Sequence, residues 1–192
     1  TNIKTTVAST RLGFIWLILD PIVMMAIYYF LVRVVFNRGG ENYHLFVFCG
    51  IVIWQCFSRT IKQSSGVITA NSSLIKQIGF PLSIIVSLPT FVQLVFAVIG
   101  VTIIAVWNYS VLNINSLSVI LLLLLLAYMS YGFSLFLSVI EVYFKDSKML
   151  VGYIIRAGFF MSPILYPVSR IMESPSIPEL IKQVYQLNPL VW

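Results

Sequence analysis

Charged side chains are scarce in this sequence. Only 9% of its 192 residues are Asp, Glu, Lys or Arg, while 59% are hydrophobic. Soluble domains are nearer to half apolar and a quarter charged. Several apolar runs exceed 18 residues, and none alternates as the strand of a β-barrel would. The composition therefore excludes an ordinary soluble domain and predicts an all-α integral membrane protein.

The residues that most catalytic and metal sites require are also few. His44 is the single histidine, and no cluster of Cys, His, Asp and Glu has the spacing of metal ligands. The sequence contains neither a Walker A loop nor a GxGxxG motif, so it predicts no nucleotide site in this chain. The chain has six acidic residues, mostly at the ends of apolar runs, which argues against a proton relay through the membrane. We therefore predict no catalytic residue, metal or cofactor in this chain.

The two cysteines predict no internal disulfide. Cys49 and Cys56 belong to one apolar run, and their spacing on a helix places them about 10 Å apart, which is too far for a bond. They are interpreted as small buried hydrophobic residues. The sequence begins at Thr1 without the pattern of a signal peptide, and we expect both of its ends to be incomplete.

The net charge of +6 is explained by membrane orientation, so no nucleic-acid partner is predicted. The basic residues lie mainly at the ends of apolar runs. One side of the membrane collects seven of them: Lys4, Arg11, Arg59, Lys62, Lys76, Lys145 and Lys148. The other side collects four: Arg33, Arg38, Arg170 and Lys182. Since cytoplasmic loops carry the excess of Lys and Arg, the N-terminus is predicted to be cytoplasmic.

The apolar runs predict a polytopic helical bundle that forms one transmembrane domain over residues 1–192. Five segments are expected to cross or enter the membrane: residues 12–36, 45–67, 82–107, 117–140 and 149–161. Five segments leave the chain on the outer side, so a sixth span is expected beyond Trp192.

An acidic residue interrupts the first apolar run, where Asp20 precedes Pro21. Asp followed by proline at the first helical position is a common helix start, so we interpret Asp20 as an N-cap. An ion-coupling carboxylate within the membrane is the alternative.

A short amphipathic segment, about 71–80, separates two apolar runs. Asn71 or Ser72 is expected to cap a helix whose apolar face carries Leu74, Ile75 and Ile78, and Gly79 is expected to end it. Such a segment is either an interfacial connector or an element that docks on a soluble partner. The residues alone leave both interpretations open.

The run 149–161 covers only about 20 Å, which is less than the hydrocarbon core of a bilayer. It contains Arg156, which we expect to face protein or a water-filled cavity and to pair with Glu141, a residue beyond the C-terminus or backbone carbonyls. Prolines follow at 163, 167, 175 and 178. The segment of about 150–189 is therefore predicted to form short, re-entrant helices on the outer side.

Four stretches occur in order along the chain: LGFIWLILDP at 12–21, NSSLIKQIGFPLSII at 71–85, YFKDSKMLVGYIIRAGFFMSPILYP at 143–167 and NPL at 188–190. Together they resemble the membrane subunits of type 2 ABC exporters, in the branch that exports polysaccharides and polyol phosphates. The resemblance covers essentially the whole chain. Lys145 stands where family members commonly have Arg, which keeps the charge but not the fork geometry.

The resemblance implies a permease that acts as a homodimer with two cytoplasmic ATPase subunits, on which ATP and Mg²⁺ bind. A lipid-linked glycan, such as O-antigen, capsule or teichoic acid, would cross the bacterial inner membrane between the two permeases. The segment similar to the family's coupling helix would contact the ATPase through Asn71, Ser72, Leu74, Ile75, Lys76 and Phe80. The segment similar to its outer helices would place Arg156, Phe159, Phe160 and Tyr166 at the pore or its exit.

Two other classes of function are weighed against a transporter. A membrane scaffold would hold a partner complex without forming a pore. A membrane acyl- or glycosyltransferase would use His44, although the sequence shows no partner residue for it. A neighbouring gene that encodes a Walker A protein would favour the transporter.

Overall fold

Helices form every regular element in the part of the chain that the structure describes. This computed structural model describes residues 13–40, 42–79, 81–107, 116–175 and 177–186. The helices are α1 (Gly13–Tyr29), a π-helical segment (Phe30–Val35), α2 (Tyr43–Ser64), α3 (Val67–Ala70), α4 (Ser72–Ile78), α5 (Leu82–Trp107), α6 (Ser116–Tyr143), α7 (Ser147–Met161), α8 (Ser169–Met172) and α9 (Glu179–Gln186). The predicted all-α fold is confirmed. The NPL stretch, Phe80 and Ser176 lie outside the described residues.

Three of the described helices are long and apolar enough to cross a membrane: Tyr43–Ser64, Leu82–Trp107 and Ser118–Tyr143. They correspond to the second, third and fourth of the five expected segments. The first segment forms α1 and the π-helical segment, of 17 and 6 residues. The fifth forms α7, whose 15 residues extend about 22 Å.

Helix α7 ends at Met161, two residues before Pro163. Ser162 precedes Pro163 and adopts an extended conformation, with φ −93° and ψ 153°. A proline ring disfavours helical geometry at the residue before it. Beyond this break, α8 and α9 are short helices of four and eight residues. The prediction that prolines prevent one long helix here is confirmed.

Helix α2 is the centre of the bundle. Half of its membrane-length stretch is buried, against 33% for α5 and 22% for α6. One side of α2 packs with α1, α7 and the segment that follows α7, and another packs with α5 and α6. Its fully buried side chains include Val47, Phe48 and Ile51. Side chains on more than one face of α2 are therefore buried.

Helices α2 and α5 approach each other closely because Gly100 lacks a side chain. A Cβ atom at Gly100 would lie 2.8 Å from Cγ1 and 2.9 Å from Cγ2 of Val52. On α6, Ser130, Ser134 and Ser138 are also fully buried. Small residues at such positions allow membrane helices to pack closely.

Side-chain contacts between different elements occur at both ends of the bundle. One end of the bundle carries Lys62, Lys76, Lys145 and Lys148, and we call it the basic end. There the Thr69 hydroxyl donates a hydrogen bond to the buried Glu141 carboxylate at the end of α6. At the opposite end, the Tyr43 hydroxyl donates to the Leu165 carbonyl over 2.8 Å. The rings of His44 and Trp107 lie 5.8 Å apart there. Both ends therefore join segments that are distant in the sequence.

Candidate functional site: a short helix and a cationic cavity

Helix α4 is a short helix of seven residues, about two turns, between two candidate spans. Gly79 ends it in the left-handed conformation, with φ +66°, as predicted. Asn71 occupies the predicted N-cap position, but its side chain makes no capping bond. Its amide instead donates to the Val67 carbonyl over 2.7 Å, which joins α4 to α3. A local bond to the residue four positions earlier thus replaces the capping bond that the sequence pattern favoured.

The residues predicted to contact a partner are largely accessible on α4. Ser72, Leu74 and Lys76 are exposed, whereas Asn71 and Ile75 are half-buried. The apolar Leu74 side chain has 44% of its surface exposed. Phe80, the sixth predicted contact, lies outside the described residues. The geometry leaves an apolar residue of a short helix uncovered at the basic end.

The chain just before α4 is fixed to two other elements. Thr69 donates its hydroxyl hydrogen to Glu141, whose residue is only 6% exposed. The ammonium group of Lys148, near the start of α7, lies beside Gly66. The chain before α4 therefore contacts the end of α6 and lies next to the start of α7.

A cavity of about 290 Å³ opens between α1, α2 and α7. We call it the cationic cavity, because three of its side chains are basic and, among the described residues that line it, none is acidic. The lining residues are Met24, Tyr28, Ile51, Trp54, Gln55, Ser58, Arg59, Lys62, Ile155, Arg156, Phe159 and Phe160. Cations and aromatic rings therefore share one cavity.

Asp20 pairs with one of these cations. It lies inside α1 and not at the helix start, so its interpretation as an N-cap is wrong. Its carboxylate forms an ion pair with Arg59 and accepts a hydrogen bond from Gln55 Nε2 over 3.0 Å. The partners are 39 and 35 residues away, and a local sequence pattern carries no information about contacts so distant. The polar cluster connects α1 to α2.

Arg156 lines the cationic cavity and is an exposed side chain. Its guanidinium carbon lies 5.7 Å from the centre of the Tyr153 ring. Glu141, one of the partners considered, forms no ion pair with Arg156, and its carboxylate accepts a hydrogen bond from Thr69. Among the described residues, no acidic side chain forms an ion pair with Arg156.

Aromatic rings form the other part of the cavity wall. The Phe159 ring lies 5.3 Å from Tyr28, 6.0 Å from Trp54 and 5.3 Å from Phe160, measured between ring centres. Tyr166 does not line the cavity, but its hydroxyl donates to the Phe160 carbonyl over 2.8 Å. The structure thus brings Arg156, Phe159 and Phe160 into one cavity and places Tyr166 next to them.

Beyond Tyr166, helix α9 folds back toward the end of α7. Burial, and next the neighbouring Tyr166 hydroxyl, raise the pKa of Tyr185 above its ordinary value. Glu179 and Lys182 form an ion pair of 3.2 Å on the same helix. Tyr185 therefore remains a neutral hydroxyl at physiological pH.

His44, the candidate catalytic residue of a transferase, lies between two rings. Its imidazole is 6.2 Å from the Tyr29 ring and 5.8 Å from the Trp107 ring. Its surroundings are those of a packed, half-buried side chain. In the part of the chain that the structure describes, no group of three or more His, Cys, Asp or Glu residues is placed to hold a metal ion.

The whole sequence, residues 1–192, matches the family described as ABC-2 type transporter. The chain belongs to this family. It is therefore a transmembrane subunit of an ABC-2 type transporter, and the predicted resemblance is confirmed.

Three curated relatives of this ABC-2 chain are polysaccharide transport proteins by name. An O-antigen export system permease protein RfbA of Klebsiella pneumoniae is 28% identical over 202 residues, which cover 98% of this chain and 72% of the relative. A protein of the same name from Myxococcus xanthus is 25% identical, with 99% and 73% covered. The polysialic acid transport protein KpsM of Escherichia coli is 26% identical, with 99% and 74% covered.

The sequence alone did not identify four residues that the cationic cavity of this ABC-2 subunit brings together: Tyr28, Trp54, Arg59 and Lys62. One sequence signal could have indicated this cavity. Arg59 and Lys62 are three residues apart near the end of α2, and residues so spaced share one helix face. Asp20 was a second signal, because an acid within an apolar run requires a partner.

Proposed function

We propose that this chain is the permease of an ABC exporter that carries a lipid-linked polysaccharide across the bacterial cytoplasmic membrane. The observation that supports this most is the similarity, over nearly the full chain, to O-antigen and polysialic acid transport proteins. O-antigen, capsule and teichoic acid are the substrate classes that we consider. The chain itself holds no catalytic group in this proposal, and forms the path for the glycan.

ATP hydrolysis in this proposal takes place on a separate subunit. Two ATPase subunits, with ATP and Mg²⁺, act with a homodimer of this chain. Helix α4 serves as the coupling helix, and Asn71, Ser72, Leu74, Ile75, Lys76 and Phe80 contact the ATPase. The exposure of Leu74 supports this role, because an uncovered apolar side chain on a short helix fits a groove on a soluble partner.

The proposed membrane arrangement has five segments that cross or enter the bilayer, within one domain over residues 1–192. They are α1 with the π-helical segment, α2, α5, α6 and α7. The basic end lies in the cytoplasm, because Lys62, Lys76, Lys145 and Lys148 belong to it. The segment of about 150–189, with α8 and α9, forms the outer re-entrant part.

The proposed pore or exit residues are Arg156, Phe159, Phe160 and Tyr166. Their proximity in the structure supports the grouping. Ring faces stack on the apolar faces of sugars without binding them tightly, which suits a path along which a polymer must slide.

Replacing both Leu74 and Ile75 by Asp tests the coupling role. Charge at these positions would prevent an apolar groove from accepting α4. We expect export of the glycan to fall by roughly tenfold or more, which corresponds to the loss of one or two buried apolar contacts. The measurement is surface glycan in cells whose own permease gene is deleted, together with ATPase activity of the purified complex.

Ser73→Asp is the matched control, because Ser73 is exposed on α4 and lies off the face that carries Leu74 and Ile75. It should leave export within about twofold of the unmodified chain, as expected for a surface change. Export that persists in the Leu74→Asp, Ile75→Asp variant, with normal amounts of protein in the membrane, would contradict the coupling role.

A further inference from the structure

We propose that the first half of α2 is a fixed seat for residues 162–165, and that Tyr43 is a positioning residue for export. Residues 162–165 directly follow α7, and we call them the strap. The strap stays docked on α2 throughout the transport cycle, so the end of α7 and the start of α2 move together. This inference rests on the proposed function, because it names the residues that hold the proposed exit side chains in place.

Tyr43 holds the far end of the strap by a hydrogen bond. Its hydroxyl donates to the Leu165 carbonyl over 2.8 Å. The Tyr43 side chain is buried, and its ring lies 6.5 Å from the Tyr29 ring and 6.3 Å from the Phe46 ring, measured between ring centres. Packing therefore fixes the ring, and the hydroxyl ties the strap to it. Loss of such a bond in a buried place is unfavourable, because the carbonyl is left unpaired.

The middle of the strap lies directly on α2 because Gly50 has no side chain. A Cβ atom at Gly50 would lie 3.0 Å from Cγ2 of Ile164 and 3.2 Å from its Cα atom. Since one of these atoms belongs to the backbone, a change of rotamer cannot make room. Ile164 is buried, and Ser162 is only 1% exposed. The strap is therefore packed like part of a core.

The end of α7 is held on α2 in the same way. A Cβ atom at Gly158 would lie 2.9 Å from Cη2 of Trp54, and the next residue, Phe159, has its ring 6.0 Å from the Trp54 ring. The three contacts at Tyr43, Gly50 and Trp54 extend over about 16 Å of α2. Close-packed interiors resist small deformations and shift as units. The proposed exit ring of Phe159 is thus positioned by α2.

A crosslink between α2 and the strap tests whether the seat is fixed. Cys49 and Ile164 line one cavity of about 160 Å³, so Ile164→Cys in a Cys56→Ala background places a second thiol beside Cys49. Dibromobimane becomes fluorescent when it joins two neighbouring thiols. We expect the crosslink to form and the crosslinked chain, reconstituted with its ATPase, to export lipid-linked glycan at the rate of the unreacted chain.

The matched control for the crosslink is Ile164→Cys with Cys49→Ala and Cys56→Ala, which should give no fluorescent product. Failure of the Cys49 pair to crosslink would overturn the inference, because the strap would not lie on α2. Loss of export on crosslinking would also overturn it, because the strap would then have to leave its seat.

Thiol labelling tests the role of Tyr43, in a background whose Cys49 and Cys56 are replaced by Ala. Ser162→Cys should resist an impermeant thiol reagent both without nucleotide and during ATP hydrolysis, whereas the exposed Ser169→Cys should react in both states. Adding Tyr43→Phe should speed the labelling of Ser162→Cys roughly threefold to tenfold, because one buried hydrogen bond is lost. It should also lower the glycan exported per ATP hydrolysed.

Tyr131→Phe is the matched control, because the Tyr131 hydroxyl also donates to a carbonyl of another helix, that of Ser83, over 3.2 Å. It should leave the labelling of Ser162→Cys and the export ratio unchanged. Gly50→Ala should act like Tyr43→Phe, since the added atom displaces the strap. Its control is Gly152→Ala on α7, where no atom lies within 4 Å of the added Cβ position.

Two labelling results would overturn the inference. Ser162→Cys that becomes reactive during ATP hydrolysis in the otherwise unmodified chain would show that the strap leaves α2 in each cycle. Equal labelling and equal export in Tyr43→Phe and Tyr131→Phe would show that Tyr43 does not position the strap. Both results leave the proposed function intact, whereas absence of export with the unmodified chain would reject the proposed function.

Discussion

At the scale of single residues, the close packing of α2 against α5 depends on positions that have no room for a larger side chain. Gly100 lies against Val52, whose branched side chain has little rotational freedom. Cys56 and Ala97 belong to the same buried cluster, with Phe48 and Leu123. Since membrane helices associate largely through such packing, these small residues determine how near α5 stands to α2.

Gly100→Ala should lower the stability of the protein. The added Cβ atom would meet Val52 at 2.8 Å, so α2 and α5 must separate. Overpacking of this kind costs about 1–3 kcal/mol. Thermal unfolding of the detergent-solubilised protein measures the effect.

Gly132→Ala is the matched control on α6, because no atom lies within 4 Å of the added Cβ position. Alanine is the better helix former by up to about 1 kcal/mol, so this variant should be as stable as the original or slightly more stable. Equal behaviour of the two variants would contradict the close packing of α2 and α5.

At the scale of elements, the connection before α4 is the part that joins the candidate coupling helix to the bundle. Thr69 on α3 and Glu141 on α6 form the hydrogen bond, and Asn71 joins α3 to α4. If α4 is the coupling helix that we propose, its displacement would reach α6 through these bonds, because packed elements shift as units. Glu141 is thus placed to transfer a displacement of α4 to α6.

Glu141→Gln should reduce the glycan exported per ATP hydrolysed. The amide bonds Thr69 less strongly than the carboxylate does, which weakens the connection between α3 and α6. Coupling energies in proteins correspond to effects of roughly fivefold or more, and we expect a loss of that size. Parallel measurements of ATP hydrolysis and glycan export provide the ratio.

Glu173→Gln provides the comparison for this prediction. It makes the same chemical change at an exposed residue that ends α8, at the opposite end of the bundle. The ratio of export to hydrolysis should be unchanged. A normal ratio in Glu141→Gln would show that the Thr69–Glu141 contact has no part in coupling.

The elements that the sequence predicted well are those set by local chemistry. The long apolar runs predicted α2, α5 and α6, and Pro163 predicted the end of α7. The N-cap at Asp20 was wrong, because this side chain pairs with Arg59 on another helix. Asn71 stands at its predicted N-cap position, but its side chain bonds the Val67 carbonyl. The cavity joins α1, α2 and α7, and single-sequence periodicity does not indicate which helix faces meet.

At the scale of the whole molecule, the two ends of the bundle differ in character. The basic end holds α3, α4 and the Glu141 contact, whereas the opposite end holds the proline-rich segment after α7. The cationic cavity, between α1, α2 and α7, reaches the basic end at Lys62. This polarity agrees with a subunit that receives its energy input at one end and releases its substrate at the other.

Cysteine labelling tests the proposed orientation. Ser169→Cys at the start of α8 should react with an impermeant thiol reagent added outside the cell, while Gln77→Cys on α4 should react only after the membrane is opened. Both positions are exposed. The background should be a chain whose Cys49 and Cys56 are replaced by Ala. The reverse labelling pattern would contradict the proposed topology.

Reconstitution tests the central claim most directly. The chain and its ATPase are placed in liposomes that carry the lipid-linked glycan on the ATPase-facing leaflet, and a lectin or glycosidase measures glycan on the other leaflet. We expect glycan to appear there only when ATP and Mg²⁺ are present and to stop appearing when the ATPase is omitted. ATP hydrolysis without any movement of glycan, or movement that does not depend on ATP, would contradict the account of this chain as an export permease.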